Sequence, residues 1–565
     1  MTALAAAGNA CAADDETNGF QGTGRYADDP WLMQNSPDPQ GGVMKQFDPS
    51  RISLFTVLIL ALAGPALPEM RESKPAGIRR NVAVDTCFLD VNAVECCVSN
   101  NGQIAGNPMT WNGGFWFPAG QRDKSMIYSG GIWIVGMIDG DIRSAATYYQ
   151  TEFQPGRILA DGTPDDPSKP GYRMYKYNLG QPVDPEAVIQ GCPAEVMGDQ
   201  MVFGVFNDIT DHAWVWKRPP IGLEVQCTGW GYDREGGLDH CLFFRYRIVH
   251  KGAKPLKDTY VALFLDPDIG QSTDDDAGCD STLDLGFAFN ADSADDKYGT
   301  GVPAVGCGFL RGPLVDSPGS TAHLPDGTVL TGKKILGMTS FFPWLCGSPV
   351  PGMNGPGLQD STGAVQAYFF MQGKMDDGDP WVDPTAGNAK TRFPFAGDPI
   401  AGTGWLLRDI EGCGERYMGI ASGPFDLEPG GAQDLVIGLV AGLGTDYLNS
   451  VAVMKDHSRA MRQAYQDGFS GLPLESRPET FGLSQNFPNP FNSETTIFFN
   501  MKESGQVKLA VYDALGREIR RLADGSYDPG KYRVSFDASG FPAGLYVYQI
   551  ITGGVRVARK MAVVK

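Results

Sequence analysis

The amino-acid sequence predicts an all-β protein, with a large antiparallel β-sandwich-type middle region, one late helix and a small C-terminal β-sandwich. The chain has 565 residues, which is too long for one hydrophobic core and implies several domains. Its 73 glycines and 40 prolines favour a turn-rich chain. From residue 81 to residue 440, short apolar segments follow one another without helical patterns between them. This arrangement is typical of antiparallel sandwiches rather than of parallel sheets with crossover helices.

The charge of the chain excludes one class of partner. Acidic residues (66) outnumber Lys and Arg (46), which gives a net charge of −20. Binding to nucleic-acid phosphates needs concentrated Lys and Arg, so we expect no nucleic-acid partner. With 42% hydrophobic and 20% charged residues, the composition is that of a globular protein.

The N-terminal region contains the pattern of a secretory signal peptide at 44–63. Basic residues precede an apolar run over 52–63, and Ala61-Leu62-Ala63 fits the A-x-A cleavage pattern. This run is shorter than the ~20 residues that span a bilayer as a helix. Because a signal peptide normally begins a chain, we expect Met44 to be the true start and 1–43 to be a disordered, miscalled upstream leader. A genuine long leader is the alternative.

Cysteine usage supports export into an oxidising compartment. Of the 11 cysteines, the ten beyond the expected leader form an even number, as disulfide pairing requires. The strand-like segments 222–230 and 238–250 form a hairpin, and a centre at Arg234 puts Cys227 opposite Cys241. Opposite residues have Cβ atoms roughly 4.5–5.5 Å apart. We therefore expect a disulfide between them, with two buried free thiols as the alternative.

Several segments of the middle region have the pattern of strands. The segment 242–248 alternates with period two and has one entirely apolar face, as in a half-buried strand. The segment 132–135 is apolar on both faces and is expected to be a central strand. Further strands are expected at 125–128, 200–206, 260–265 and 434–440.

One helix is predicted near the end of the middle region. Thr445 or Asp446 can cap its N-terminus, and Gly468 ends it. The apolar stripe of this helix consists of Leu448, Val451, Met454, Met461 and Tyr465. The exported β-rich part therefore covers 81–468, and the composition of 469–480 is that of a linker.

The most chemically distinctive stretch of the middle region is an acidic loop after a strand. Alternating carboxylates with a glycine turn are the ligands of calcium loops, because Ca²⁺ binds oxygen atoms. An EF-hand needs a Glu at its last position, and Ala277 stands there, so this loop is not an EF-hand. The stretch is therefore either a solvated acidic loop or a Ca²⁺ site at the end of a strand. The expected ligands of the Ca²⁺ site are Asp266, Asp268, Asp274, Asp275, Asp276 and Asp280.

Two further features of the middle region bear on carbohydrates. Paired carboxylates about 5–10 Å apart can hydrolyse glycosides, but sequence does not supply that distance. Aromatic residues cluster at 111–118, 214–216 and 341–344, where they either stack on sugars or, more commonly, fill a sandwich core. The five histidines form no HExxH motif and no GxSxG elbow is present, so no catalytic residue is assigned.

The segment 481–565 has the pattern of a compact all-β unit. Turn sequences at 513–516 and 528–530 separate its apolar segments. Six or seven short strands in this length predict a small immunoglobulin-like β-sandwich. The strand-like segments lie at 495–499, 507–512, 532–536, 544–550 and 556–564.

Short motifs run through this C-terminal unit in a fixed order. They comprise Asn486, Phe487, Pro488, Asn489, Pro490, Phe491, Asn492, Tyr512, Asp513, Gly516, Arg517, Gly530, Gly544, Tyr546 and Lys560. In order and spacing they resemble the type A C-terminal sorting domain of type IX secretion, also described as FlgD-like immunoglobulin fold. One departure is Ser493-Glu494, where the family often has Pro-Ser. The alternative is an ordinary terminal β-domain.

The resemblance implies an export route. Such proteins cross the inner membrane by a Sec signal, fold in the periplasm and are recognised by the outer-membrane type IX translocon. In many members a processing enzyme removes the tail, and the cargo is released or attached to surface lipopolysaccharide. The resemblance therefore implies the translocon and a processing enzyme as partners, and an extracellular or outer-surface location.

The middle region contains the segments 148–156, 278–280 and 423–430. These segments resemble uncharacterised exported proteins that share this tail, which supports a β-rich cargo but supplies no activity. We expect a secreted or cell-surface protein whose middle region is a non-catalytic surface, adhesion or glycan-binding module. The alternatives are a secreted polysaccharide-acting hydrolase and a structural envelope component. Glycan and cell-surface lipopolysaccharide are the expected partners of the middle region.

Overall fold

The computed structural model describes residues 84–564, except 109, 111, 346–349, 351, 411–414, 470–480, 484, 487, 488, 493, 528 and 529. The expected leader at 1–43 and signal peptide at 44–63 lie outside the described residues, as does the expected linker at 469–480 apart from Phe469. The division of the chain into domains stays a prediction.

Strands dominate the middle region, and the longest of them has 12 residues. In chain order they are β1 (Thr86–Leu89), β2 (Glu95–Ser99), β3 (Gln103–Ile104), β4 (Gly106–Asn107), β5 (Asn112–Gly113), β6 (Phe115–Trp116), β7 (Ser125–Ile127), β8 (Ser129–Ile138), β9 (Asp141–Ala146), β10 (Gln154–Pro155), β11 (Tyr175–Asn178), β12 (Gln200–Asn207), β13 (Leu223–Gly231), β14 (Cys241–His250), β15 (Leu256–Asp266), β16 (Asp275–Asp280), β17 (Leu285–Asn290), β18 (Ala304–Arg311), β19 (Leu314–His323), β20 (Val329–Ile335), β21 (Ser340–Leu345), β22 (Trp381–Asp383), β23 (Ala389–Thr391), β24 (Arg416–Leu427) and β25 (Ala432–Gly442).

Helices interrupt these strands at a few places. The α-helices are α1 (Pro185–Ile189), α2 (Ser361–Met371) and α3 (Tyr447–Gln466). Short 3₁₀ helices occupy Pro170–Tyr172, Leu238–His240, Pro384–Ala386 and Leu407–Asp409. Within the described ranges, no helix has the length and apolar character needed to cross a membrane.

Two large sheets organise the middle region. The first sheet has the order β21-β24-β15-β8-β3-β2-β6-β7, with β1 paired to β2 and β9 paired to β8. The second sheet has the order β10-β12-β13-β14-β25-β18-β17-β16, with β11 paired to β12. The long central pairings, such as β15 with β8 and β14 with β25, are antiparallel. The expectation of a large antiparallel middle region is therefore confirmed.

The two large sheets pack against each other through a shared apolar core. Val261 and Leu263 of the first sheet belong to the same buried cluster as Val225, Phe244 and Ile437 of the second. Successive residues of a strand point to opposite faces, so each of these strands also presents a second face. That second face is apolar in both sheets and needs a further cover.

A helix covers the outer face of each large sheet. Helix α2 packs its Phe370 against Phe342 and Trp344 of the first sheet, with 5.6 and 5.9 Å between the ring centroids. Helix α3 packs Met454 against the face of the second sheet that carries Phe287. The middle region therefore has four layers, in the order helix, sheet, sheet, helix.

The late helix is confirmed, and a second substantial helix was not predicted. Helix α3 begins after Asp446, whose carboxylate accepts a hydrogen bond from the Asn449 N–H at 2.8 Å. Helix α2 follows Asp360, which caps it in the same way through Thr362. Because α2 is apolar along most of its circumference, it lacks the one-sided stripe that marks an amphipathic helix in sequence.

The register of the β13–β14 hairpin differs from the one expected. Gly231 pairs with Leu242, and Cys227 therefore lies opposite Tyr246 rather than opposite Cys241. The chain turns further along than expected because Gly237 has a positive φ and 238–240 form a turn of 3₁₀ helix. Both cysteines are buried free thiols, so the expected Cys227–Cys241 disulfide is not formed and the alternative holds.

The C-terminal unit is a β-sandwich of two small sheets, as expected. One sheet has the order β26-β27-β30 and the other β29-β28-β31-β32. Their shared core includes Phe499 and Phe536 from one sheet and Leu509 and Tyr548 from the other. The strands are β26 (Gly482–Leu483), β27 (Glu494–Met501), β28 (Gly505–Tyr512), β29 (Glu518–Tyr527), β30 (Gly530–Asp537), β31 (Gly544–Thr552) and β32 (Val555–Val563).

Glycines on the second sheet allow α3 to approach it closely. A Cβ atom added at Gly306 would lie 2.8 Å from the Met454 sulfur. A Cβ at Gly442 would overlap the backbone of Met454 itself. A flexible side chain can move away from such a contact, whereas helix backbone moves only if the whole helix shifts.

We predict that Gly442→Ala destabilises the middle region by about 1–3 kcal/mol, because the added methyl group forces α3 away from the second sheet. Calorimetric and urea unfolding of the full-length chain measure this loss. Gly301→Ala is the matched control, since its nearest atom would lie 4.0 Å away. Equal stability of the two variants would contradict the close packing of α3.

Candidate functional site

The first motif of the C-terminal unit docks along the last strand of the sandwich. The Phe491 N–H donates to the Ala562 carbonyl at 3.0 Å, and the Val564 N–H donates back to the Phe491 carbonyl at 2.8 Å. The Asn489 side chain accepts from the Ala562 N–H at 2.8 Å. The buried Asn486 N–H donates to the Tyr548 hydroxyl at 2.6 Å. Phe487 and Pro488 lie outside the described residues.

The second motif of this unit is a tight turn between β28 and β29. The Asp513 carboxylate accepts hydrogen bonds from the N–H groups of Leu515 and Arg517 at 2.9 and 3.0 Å. Gly516 has a φ of 76°, which favours glycine at this position. The Arg517 guanidinium closes the turn by donating to the same carboxylate at 2.7 Å. The Asp513–Arg517 motif is therefore a structural turn.

Three of the six expected calcium ligands lie around the end of β15. Tyr149 donates to the Asp266 carboxylate at 2.9 Å, and burial, reinforced by Asp268, raises the pKa of Asp266. Burial and the nearby Glu415 raise the pKa of Asp268 to about 7. The Asp275 carboxylate faces this loop, because its Oδ2 accepts from the Ile269 N–H at 2.9 Å.

Two of the remaining expected ligands, Asp276 and Asp280, point elsewhere. Burial raises the pKa of Asp276 to about 6, while the Ala277 N–H, Arg416 and Arg408 lower it, so Asp276 faces cationic residues. Asp280 ends the six-residue strand β16 and pairs with the Lys455 ammonium at 3.1 Å. These residues lie on the opposite face or at the opposite end of β16 from Asp275.

Within the described ranges, no group of three or more His, Cys, Asp or Glu side chains is arranged to hold a metal ion. Asp275 is nevertheless 1% exposed, and its Oδ1 has no hydrogen-bond partner among the described residues. Asp274, just before β16, is close to Asp295 and to Asp275, and burial, reinforced by Asp295, raises the pKa of Asp274. A calcium ion at this loop would draw on main-chain oxygens and water besides the carboxylates.

The aromatic clusters are mainly core. The buried members of these clusters include Trp116, Trp216, Phe342 and Trp344. They agree with the alternative that the aromatic residues fill the core. Trp214 is the exception, since 58% of it is exposed. Trp111 lies outside the described residues.

A buried polar network holds the loop that carries Trp214. Glu152 and Asp208 are fully buried, and Glu152 accepts from the Trp216 N–H at 2.9 Å. His212 lies between them, with its Nε2 2.7 Å from the Asp208 carbonyl and its Nδ1 3.6 Å from the Glu152 carboxylate. Because none of these groups reaches solvent, the network positions the loop and does not form an active site. No spacing pattern in the sequence indicated it.

A cavity of about 350 Å³ lies at the C-terminal end of α2. It opens where the turn after α2 meets the small hairpin β22–β23 and the strand β15. This volume is at the small end of the range for ligand pockets. The lining residues are Tyr260, Gln372, Gly373, Lys374, Pro380, Lys390, Thr391 and Arg392.

The cavity combines an aromatic ring with polar donors. The Tyr260 ring packs edge-on against Tyr368 of α2, with 5.7 Å between ring centroids. Burial raises the pKa of Tyr260, and the nearby Arg392 opposes this rise. Sequence analysis missed the cavity because more than a hundred residues separate Tyr260 from the rest of it, and because α2 was not predicted.

The C-terminal unit forms its own β-sandwich, on which its motifs dock, and its strands are not part of the two large sheets. Residues 485–565 match the family described as the secretion system C-terminal sorting domain. The expected resemblance is confirmed: the chain carries a type IX secretion sorting domain. This domain implies interaction with the type IX machinery and its processing enzyme, and export to the cell surface or extracellular space.

Two solved structures that match this chain are similar to it only at low TM-scores. A polysaccharide lyase is 8% identical with a TM-score of 0.21, and the match covers 85% of this chain and 46% of that protein. Dimeric latent PorU from Porphyromonas gingivalis is 10% identical with a TM-score of 0.13, covering 85% of this chain and 34% of that protein. This chain thus spans less than half of either, and neither match carries an argument. No curated protein matches.

We predict that Glu152→Gln flattens the pH dependence of stability. Burial raises the pKa of Glu152 from 4.5 to about 8, so its contribution to stability is fully present below pH 4.5 and is lost as pH rises to about 8. The variant has no such titration. Its free energy of unfolding should therefore fall furthest below that of the parent protein near pH 5, and the two values should converge near pH 8. Urea unfolding of the full-length chain across this range measures the effect.

The exposed Glu195 supplies the control, as Glu195→Gln should keep the slope of the parent protein. If the free energies of unfolding of Glu152→Gln and of the parent protein change with pH in parallel, the raised pKa of Glu152 is wrong. The buried His212 does not mimic this result, because its pKa is lowered by burial and its titration acts in the opposite direction.

Proposed function

We propose that the exported middle region is a non-catalytic module that binds glycan at the cell surface. The observation that supports this function is the cavity at the end of α2, where one aromatic ring stands beside amide, hydroxyl and cationic donors. Sugars offer the complementary surface, since their rings stack on aromatics and their hydroxyls accept hydrogen bonds. Lipopolysaccharide and free polysaccharide both present such groups at the outer surface.

The lining of the cavity favours binding over hydrolysis. Glycoside hydrolysis needs a carboxylic acid and a second carboxylate on either side of the scissile bond. None of the eight lining residues is Asp or Glu. A structural envelope role without a ligand remains the competing proposal, and the binding test below distinguishes the two.

We predict that Gln372→Leu weakens glycan binding about fivefold, because it removes one uncharged hydrogen-bonding group from the cavity. The full-length chain is applied to a panel of immobilised neutral and acidic polysaccharides, and reducing-sugar release is followed in parallel. Gln463→Leu on the exposed surface of α3 makes the same chemical change elsewhere and should bind normally. Absence of binding to every polymer would favour the structural role, and sugar release would favour the hydrolase.

We also propose that Ca²⁺ binds the acidic loop around Asp266, Asp268 and Asp275. The support for this proposal is the buried Asp275 Oδ1, which faces the loop and lacks a partner among the described residues. Carboxylates buried together repel one another unless a cation neutralises them.

Millimolar calcium should therefore raise the melting temperature of the full-length chain relative to EDTA. Asp275→Asn keeps an oxygen for the Ile269 N–H but removes the charge, so this increase should disappear. Asp326→Asn, in the exposed turn of the β19–β20 hairpin, is the control and should retain it. An identical melting temperature of the parent protein in calcium and EDTA would leave the solvated acidic loop as the correct interpretation.

A further inference from the structure

Three cationic side chains line the cavity at the end of α2, in a chain whose net charge is −20. They are Lys374, Lys390 and Arg392. No carboxylate within the described residues forms an ion pair with any of them, although other exposed lysines, such as Lys257, do find acidic partners. This group of cations without carboxylate partners among the described residues distinguishes the cavity within a chain of net negative charge.

Local contacts hold the segments that carry Lys374 and Arg392. Lys374 follows the end of α2, and its ammonium lies 5.6 Å from the centroid of the Phe369 ring. Gly373 has a φ of 74°, and a Cβ atom there would lie 2.6 Å from the Cβ of Arg392. The carbonyl of Arg392 accepts the Phe341 N–H at 3.0 Å, which ties this segment to the edge of the first sheet.

Two carboxylates that are close in sequence to these cations, Asp377 and Asp383, are engaged in turns. Asp377 accepts a hydrogen bond from the Asp379 N–H at 2.9 Å. Asp383 accepts from the N–H groups of Thr385 and Ala386 at 2.8 and 3.2 Å. These side chains hold the loops around the cavity and are not counter-ions of its lysines and arginine. Because no ion pair to Lys374, Lys390 or Arg392 forms among the described residues, these side chains are available to an anionic ligand.

We propose that this cavity binds the anionic groups of an acidic polysaccharide, either uronate carboxylates or sulfate esters. The proposal rests on the glycan-binding function above and names the class of glycan. Arg392 offers a planar pair of N–H donors that suits carboxylate and sulfate oxygens, and the two lysines add mobile point charges. Tyr260 and Gln372 would contact the uncharged part of the same sugar.

The test compares the full-length parent protein with the double variant Lys390→Gln, Arg392→Gln. Both residues are exposed, so the melting temperature should not change. Binding is measured by interferometry to polygalacturonate, dextran sulfate and neutral dextran, at low and at physiological salt. We expect the parent protein to prefer one of the two acidic polymers, and the double variant to bind it about tenfold more weakly. The control, Lys333→Gln, Lys334→Gln on the β19–β20 hairpin, removes the same charge and should bind normally.

The outcomes distinguish the specificity for acidic polysaccharides from glycan binding in general. Preference for polygalacturonate assigns carboxylates as the ligand, and preference for dextran sulfate assigns sulfates. Binding to neutral dextran alone, weakened by Gln372→Leu but not by the double variant, would keep the glycan function and overturn its acidic specificity. If the double variant and its control lose binding to the acidic polymer equally, the interaction depends on overall positive charge and not on this cavity. Binding to none of the three polymers would overturn both proposals.

Discussion

Both large sheets of the middle region are apolar on both faces, and this constraint dictates the rest of its architecture. One face of each sheet is buried by the other sheet. The remaining two faces would expose Trp133, Phe264, Phe243 and Phe287 to water if nothing covered them. Helices α2 and α3 supply these covers, and the loops that deliver α2 to its place also build the cavity at its end. The candidate binding site is thus a consequence of how the first sheet is covered.

The two charged clusters of the middle region differ in their relation to water. The carboxylates of Asp266 and Asp275 are buried, so the neutral acid is favoured unless a cation enters. Lys390 and Arg392, by contrast, are exposed to water. The proposed site in the cavity therefore has its cations at the surface, whereas the proposed site in the acidic loop consists of buried carboxylates that a bound cation would have to neutralise. This difference is why the cavity, and not the loop, carries the proposed function.

Sequence patterns predicted the parts of the fold that repeat with a fixed period. The segment 132–135 is apolar on both faces, and in the structure Ile132 and Ile134 face the other sheet while Trp133 and Val135 face α2. Helix α3 was predicted because only one of its faces is buried. Helix α2 was missed because its apolar residues surround it, and the β13–β14 register was missed because a turn of 3₁₀ helix occupies residues that read as strand. The cavity joins segments distant in sequence, and no local pattern encodes such a contact.

The C-terminal unit was the most predictable part of the chain, and its contacts explain why. Its motif residues occupy positions at which the backbone or core admits few side chains: Asn486 links the first motif to Tyr548, Asp513 closes a turn, and Tyr546 donates to the Pro542 carbonyl at 2.8 Å. These positions are scattered along the unit because each belongs to a different turn or docking contact of one sandwich. The motif residues are those that the fold of the C-terminal unit requires. They identify this unit regardless of the cargo that precedes it. For the same reason, the C-terminal unit indicates the destination of the protein but not its ligand. The ligand of the protein has to be inferred from the middle region alone.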